Sequence, residues 1–125
     1  MNIPDNVKYT AEHEWVRIEG DVAVIGVTEF AQGELGDVVF IEIETGGESL
    51  AKGDTFGTIE AVKTVSDLYM PADGEVLEVN PALEDAPELV NSSPFDEGWM
   101  IRIKLSDPSQ LDDLMTAEAY AKLIG

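Results

Sequence analysis

Side chains able to do chemistry are scarce in this sequence. It has no cysteine and one histidine in 125 residues. Disulfides, thiolate metal sites and cysteine nucleophiles are thereby excluded, and any redox-active sulfur must come from an attached group. The remaining candidate is an amine. Lys63, one of five lysines, sits inside Gly57-Thr58-Ile59-Glu60-Ala61-Val62-Lys63-Thr64-Val65-Ser66-Asp67, a largely apolar and β-branched run. A lysine stem ends in a single amine that can be acylated, with loss of its charge. A lysine in a turn is ordinarily a solvated charge, so residue type alone assigns it no role.

His13 is flanked by Glu12 and Glu14. An enzyme would use such a histidine as a general base oriented by a carboxylate. No serine nucleophile, second histidine or glycine-rich oxyanion turn accompanies it, and one histidine with scattered acids lacks metal-ligand spacing. The residues favour a structural or packing role for His13. Trp99 and Met100 read as core, and Asn91-Ser92-Ser93-Pro94 reads as loop.

The elements that must position Lys63 are strands. Gly53-Asp54 and Asp73-Gly74 make chain reversals easy on either side of it. Ile59, Val62 and Val65 recur at a helical spacing, while Phe56, Thr58, Val76 and Val79 suit strands. A hairpin with Lys63 near its tip is the preferred reading. Upstream, Lys8-Tyr9 and Glu14–Ile18 read as a short strand pair, and Val22–Val27 as a strand buried on both faces. Thr28 can cap a short helix through Phe30, Ala31 and Gln32, stopped by Gly33 and Gly36. Residues 37–44 are strand again. Gly20-Asp21, Gly36-Asp37, Gly53-Asp54 and Gly74-Glu75 each precede a new run, as expected of a small sheet protein with many short strands. Downstream, Pro81 suits a first helical position, and Trp99, Ile101, Ile103 and Leu105 alternate with Met100, Arg102 and Lys104. Over about 107–124 a pair of helices is expected. Asp107-Pro108-Ser109-Gln110 caps the first, with Leu111, Leu114 and Met115 as its stripe. Thr116 caps the second, with Ala117, Tyr120, Ala121 and Ile124 inward.

At 125 residues and 44% hydrophobic content, residues 1–125 read as one folded domain. There are 26 acidic against 7 basic side chains, a net charge of −19. Such a surface repels phosphate backbones and anionic membranes, and is drawn to proteins with basic rims. No apolar run approaches membrane-spanning length, and Met1-Asn2-Ile3-Pro4-Asp5 resembles neither a signal peptide nor an Arg-rich transit peptide. The expectation is a soluble bacterial cytoplasmic protein, with a processed mitochondrial form as the alternative.

Glu60-Ala61-Val62-Lys63-Thr64-Val65-Ser66-Asp67, followed by residues 71–80, resembles the lipoyl-lysine hairpin of glycine cleavage system H proteins. The resemblance continues in order through His13-Glu14-Trp15-Val16, Gly26-Val27-Thr28, Ala31, Leu35-Gly36-Asp37, Asn91-Ser92-Ser93-Pro94 and Gly98-Trp99-Met100-Ile101, covering nearly the whole chain. Acyltransferase lipoyl domains, with an Asp-Lys-Ala tip, and biotinyl carriers, with Met-Lys-Met, do not fit. The resemblance implies a mainly β, flattened barrel-sandwich hybrid of short strands. It implies lipoic acid attached through Lys63 by a lipoate ligase or lipoyltransferase, on a carrier that is not itself an enzyme. It further implies an S-aminomethyl group taken from a pyridoxal-phosphate glycine decarboxylase and delivered to a tetrahydrofolate-dependent aminomethyltransferase. The dithiol then passes to dihydrolipoamide dehydrogenase. Glu14 and Asp67 are expected to line the cleft that shelters the loaded arm. Glu12 stands where many relatives have a small hydroxyl residue, and an acid at the cleft mouth is compatible with binding an amine. Two other readings stay open: a related lipoyl carrier serving lipoyl relay or sulfur metabolism, and, remotely, a small acidic enzyme using His13.

Overall fold

The computed structural model describes residues 3–125. Its strands are β1 (Lys8–Tyr9), β2 (Glu14–Glu19), β3 (Val22–Val27), β4 (Val38–Glu42), β5 (Ser49–Leu50), β6 (Thr55–Ala61), β7 (Val65–Tyr69), β8 (Gly74–Val79) and β9 (Ile101–Leu105). They form two open antiparallel sheets, β1-β2-β3-β9-β8-β5 and β4-β6-β7. This is the expected mainly β sandwich.

The apolar run Val22–Val27 explains how the layers are held. β3 lies between β2 and β9, and its side chains alternate across the sheet. Ala23, Ile25 and Val27 enter the main core with Val16, Phe56, Ile59, Met70, Met100, Ile101 and Ile103. Val24 faces a second cluster with Val7, Tyr9, Trp15 and Tyr120. A strand buried on both faces needs no polar alternation, which is the pattern seen. Gly26 lies opposite Trp15, where a Cβ would sit 2.6 Å from the indole ring. Only glycine leaves room for Trp15 there, and the indole Nε1 then donates to the Pro94 carbonyl at 2.8 Å.

Four α-helices complete the described chain: α1 (Glu29–Leu35), α2 (Ala82–Asp85), α3 (Leu89–Ser92) and α4 (Ala117–Ile124). Thr28 caps α1 as expected, but the helix runs through Gly33 and stops only at Gly36. β4 is shorter than 37–44, and Pro81 stands at the cap of α2, one position before its first helical residue. Asn91 and Ser92 are helical, so Asn91-Ser92-Ser93-Pro94 is half helix and half loop. The expected C-terminal pair holds one α-helix. Pro108–Asp113 is a 3-10 helix, and Leu114 has already left it. Met115 instead bridges to Tyr9 through paired backbone hydrogen bonds of 2.9 Å. In a 3-10 turn a stripe of period 3.6 cannot stay on one face, so Leu111, Leu114 and Met115 do not form one. Thr116 does cap α4, where Tyr120 is buried.

Candidate functional site

The hairpin is as expected. β6 and β7 pair from Thr55↔Tyr69 to Glu60↔Val65, leaving Val62-Lys63-Thr64 as the turn, closed by Ala61 N–H donating to the Thr64 carbonyl at 2.8 Å. Lys63 is exposed, and among the described residues it makes no ion pair. Its stem runs past Gly36, where a Cβ would lie 3.4 Å from Cε and 3.5 Å from Cδ. Gly36 has φ +83 and ψ −156, a region open essentially to glycine alone. The same junction is pinned by Asn91. Its Oδ1 accepts from Val38 N–H at 2.8 Å, and its Nδ2 donates to Gln32 Oε1 and to the Gly36 carbonyl at 2.8 and 2.9 Å. Val62 N–H donates to the Asp37 carbonyl at 3.0 Å, which docks the turn onto the clamped segment.

α1, which ends under Lys63, walls a cleft of ≈410 Å³. Phe30, Ala31, Glu34 and Leu35 come from α1, Ile59, Ser66, Asp67 and Leu68 from the hairpin, and Glu12, His13 and Glu14 from the turn into β2. The three acids singled out in the sequence therefore share one cavity. Asp67 and Glu12 are exposed at it, while Glu14 is buried, 2% exposed.

Glu14 is buried because of strand geometry. It pairs with Val27 on the same face that carries Val16 into the core, so an acid occupies a core-facing position. Its Oε2 accepts from Tyr69 N–H at 2.7 Å and ties β2 to the edge strand β7 of the other sheet. Among the described residues its buried Oε1 makes no well-formed hydrogen bond, although the Thr10 hydroxyl lies near enough to steady the charged form slightly. Burial, opposed by the Tyr69 N–H and reinforced by the Glu12 charge, pushes the carboxyl up to about 8. The group is therefore mostly neutral at pH 7 until a cation or donor reaches Oε1.

The histidine belongs to the scaffold of this cleft. His13 has φ +67, at the end of the turn in which its N–H donates to the Thr10 carbonyl and Glu14 N–H donates to Thr10 Oγ1. Its ring tilts over Phe30 at 4.8 Å, and Nδ1 is 2.9 Å from the Tyr120 hydroxyl. That hydroxyl also meets Thr28 Oγ1 at 2.7 Å, the oxygen that caps α1, while the Tyr120 ring stacks on Tyr9 at 4.5 Å. α4 thus braces two walls of the cleft through one phenol. Sequence reasoning missed Phe30 and Glu34 as cleft residues, although their i,i+4 spacing puts them on one face of α1. It also missed Asn91, whose three long-range bonds leave no trace in local pattern.

Comparison with known proteins agrees with this architecture. The model of the family "Glycine cleavage H-protein" matches residues 7–125. Glycine cleavage system H proteins of Bacteroides thetaiotaomicron and Bacteroides fragilis are each 57% identical over 124 residues, 99% of this chain and 98% of theirs. A crystal structure of the glycine cleavage system H protein of Mycobacterium marinum superposes with a TM-score of 0.90 at 37% identity, covering 98% of this chain and 99% of that one. No described helix is long and apolar enough to cross a membrane. The chain belongs to the glycine cleavage H-protein family, carrier components of that system and not catalysts themselves.

Proposed function

We propose that Lys63 carries lipoate and that Glu14, Asp67 and Glu12 receive the loaded arm in the cleft beside it. The observation that carries this reading is the Lys63 stem passing Gly36, at the end of the same helix that walls the cleft. An arm rooted there can either extend from the hairpin or fold along α1. The lining fits a lipoyl arm: Val27, Phe30, Leu35, Ile59 and Leu68 suit a hydrocarbon chain, and the acids suit a cationic end. Once attached, the lipoyl group supplies a disulfide that takes up a one-carbon unit bearing an amine.

The chain's own residues do the rest. Unloaded, Glu14 is neutral and tolerates an apolar neighbour. An ammonium beside Oε1 favours the carboxylate and satisfies the orphaned oxygen. Such a charge-assisted bond contributes about 1.5–3 kcal/mol, enough to hold the cargo without preventing release. Asp67 and Glu12 at the opening add negative potential, and the apolar walls exclude water from a labile group. The carrier would meet, in turn, a pyridoxal-phosphate glycine decarboxylase, an aminomethyltransferase and dihydrolipoamide dehydrogenase, in a bacterial cytoplasm, after loading by a lipoate ligase or lipoyltransferase.

Intact-mass analysis of protein from lipoate-competent cells tests the attachment. Wild type should gain one lipoyl mass and Lys63→Arg none, with its fold kept, because guanidinium is not an acyl acceptor. Lipoylation of the arginine variant at another lysine, with glycine cleavage supported, would overturn the assignment. For the cleft, Glu14→Gln and Asp67→Asn should lipoylate normally yet lose the aminomethyl load faster in isolation. Equal decay rates would mean that neither acid holds the cargo, leaving Asp67 a surface charge and Glu14 a buried tie between β2 and β7.

A further inference from the structure

Exposure does not distinguish Lys63 from its rivals. Lys52, Lys104 and Lys122 are exposed too, yet an acylating enzyme must choose one amine. What differs is the company each keeps. Lys104 lies opposite Glu75 on β8, and Lys122 pairs with Glu118 at 3.8 Å and has a single exposed apolar chain neighbour, Leu123. Lys52 sits between Ala51 and Gly53, with Asp73 accepting from its backbone N–H. Around Lys63 four large apolar residues stand exposed among Asp37, Glu60 and Thr64: Val62 is 72% exposed, Val65 60%, Val39 51% and Phe40 48%.

Strand register gathers them. On the outer face of the three-stranded sheet, Phe40, Glu60 and Val65 form one row, since Phe40 pairs with Glu60 and Glu60 with Val65. One step nearer the tip, Val38 pairs with Ala61, and Val62 follows into the turn. Regular alternation would hide either Val39 or Phe40. A bulge between Val38 and Phe40 inserts Val39 as an unpaired residue, so both neighbours face solvent. Leaving this much apolar surface open beside one turn is costly unless something covers it.

We infer that the Val39, Phe40, Val62 and Val65 face is the docking surface of the enzyme that acylates Lys63. An enzyme bringing an activated acyl group to this amine from the sheet side meets these residues, because the turn is their common edge. Glu60, between Phe40 and Val65, and Glu42, in the neighbouring row, define the complement: an apolar platform carrying a basic side chain opposite Glu60. Docking of this kind concentrates binding in a few apolar contacts.

The inference rests on Lys63 being the acylated residue. The test is acylation in vitro by a lipoate ligase with ATP and lipoate, followed by intact mass. A Val39→Thr, Val62→Thr, Val65→Thr variant keeps the β-branched shape and strand preference while removing apolar contact. Phe40→Thr is assayed separately, and Leu77→Thr, an exposed apolar residue on β8, serves as the control. The triple variant should raise KM for the carrier about tenfold or more with kcat little changed, Phe40→Thr severalfold, and Leu77→Thr not at all. Unfolding midpoints close to wild type would show that the effect is on docking. Rates within twofold of wild type in folded variants overturn the inference while leaving Lys63 as the site. Equal slowing by Leu77→Thr overturns it as general loss of stickiness. Normal acylation combined with slowed reaction at the decarboxylase overturns it by giving the face to a later enzyme. Wild type unacylated at Lys63 overturns the attachment reading itself, and this inference with it.

Discussion

Glu14 and Asp73 each accept a backbone N–H at 2.7 Å, from Tyr69 and Lys52 respectively, and each holds a turn or edge in place. Their environments drive them in opposite directions. Asp73 Oδ1 accepts from Lys52 N–H and Oδ2 from Gln110 Nε2 at 3.1 Å, and these donors, with the Lys52 charge, hold its carboxyl below the ordinary range. Glu14 has one oxygen bonded and one buried without a well-formed hydrogen bond among the described residues, and burial raises it to about 8. The first is a finished support. The second is a support left incomplete on the side that lines the cleft, and it costs stability whenever it is ionised. A polar group whose burial opposes folding, beside a cavity, is a functional candidate on physical grounds.

The largest expected effect comes from removing that cost. The folded-state value of Glu14 lies above the unfolded value of 4.5, so between about 4.5 and 8 the native state binds the extra proton. Stability attributable to Glu14 therefore falls as pH rises through that window. Glu14→Gln keeps an acceptor for Tyr69 N–H and cannot ionise. Relative to wild type it should be more stable at pH 8 by on the order of 2–4 kcal/mol and nearly equal at pH 4.5. Urea midpoints of both proteins across that range decide it, and the comparison cancels the repulsion common to a chain of net charge −19. A difference that does not vary with pH would mean the carboxyl is solvated in the native state.

Such a group is partly visible in sequence. In Glu14-Trp15-Val16-Arg17-Ile18, strand alternation puts Glu14 on the face of Val16, an acid where the core calls for an apolar residue. The β3 run was legible because a continuous apolar, β-branched stretch is a local property, whereas the hairpin had turn glycines in its favour and was settled by resemblance. Long-range bonding is not local. Asn91 reads as loop punctuation until Val38, Gln32 and Gly36 are seen around its amide, and the Leu111, Leu114 and Met115 stripe fails because Met115 answers to Tyr9. Lys63, Glu14, Asp67 and Glu12 as site residues all came from resemblance, since a turn lysine and a surface acid carry no physical mark of their own, and the mark that Glu14 carries was not read.

A smaller effect separates the braced cleft from the finished turn. Tyr120 supplies the one hydroxyl that meets both His13 and Thr28, and burial raises its pKa. Tyr120→Phe leaves the stack on Tyr9 possible but strips both partners, at an expected cost of about 1–2 kcal/mol. Hydrogen exchange should quicken at the amides of α1 and the turn from Thr10 to Glu14, with no change around Lys52. Uniform loss of protection would show that α4 supports the whole fold and not the cleft walls in particular.

The smallest effect is expected at Asp73, with the opposite pH sense. Its folded value lies below the unfolded one, so it adds stability above the unfolded value of 3.8 and loses it as pH falls through the folded one. Asp73→Asn can still offer Oδ1 to Lys52 N–H. Its amide would then face the Nε2 donor of Gln110, which cannot flip freely because Gln110 Oε1 already accepts from the Asp73 N–H at 2.7 Å. The variant should be slightly less stable than wild type at pH 7, and the gap should close as acid neutralises the wild-type carboxylate. Thermal midpoints from pH 7 down to about 3 read this directly, whereas the Glu14→Gln difference is read at the alkaline end. A gap that persists in acid would assign the loss to shape and hydrogen bonding, leaving no part for the charge.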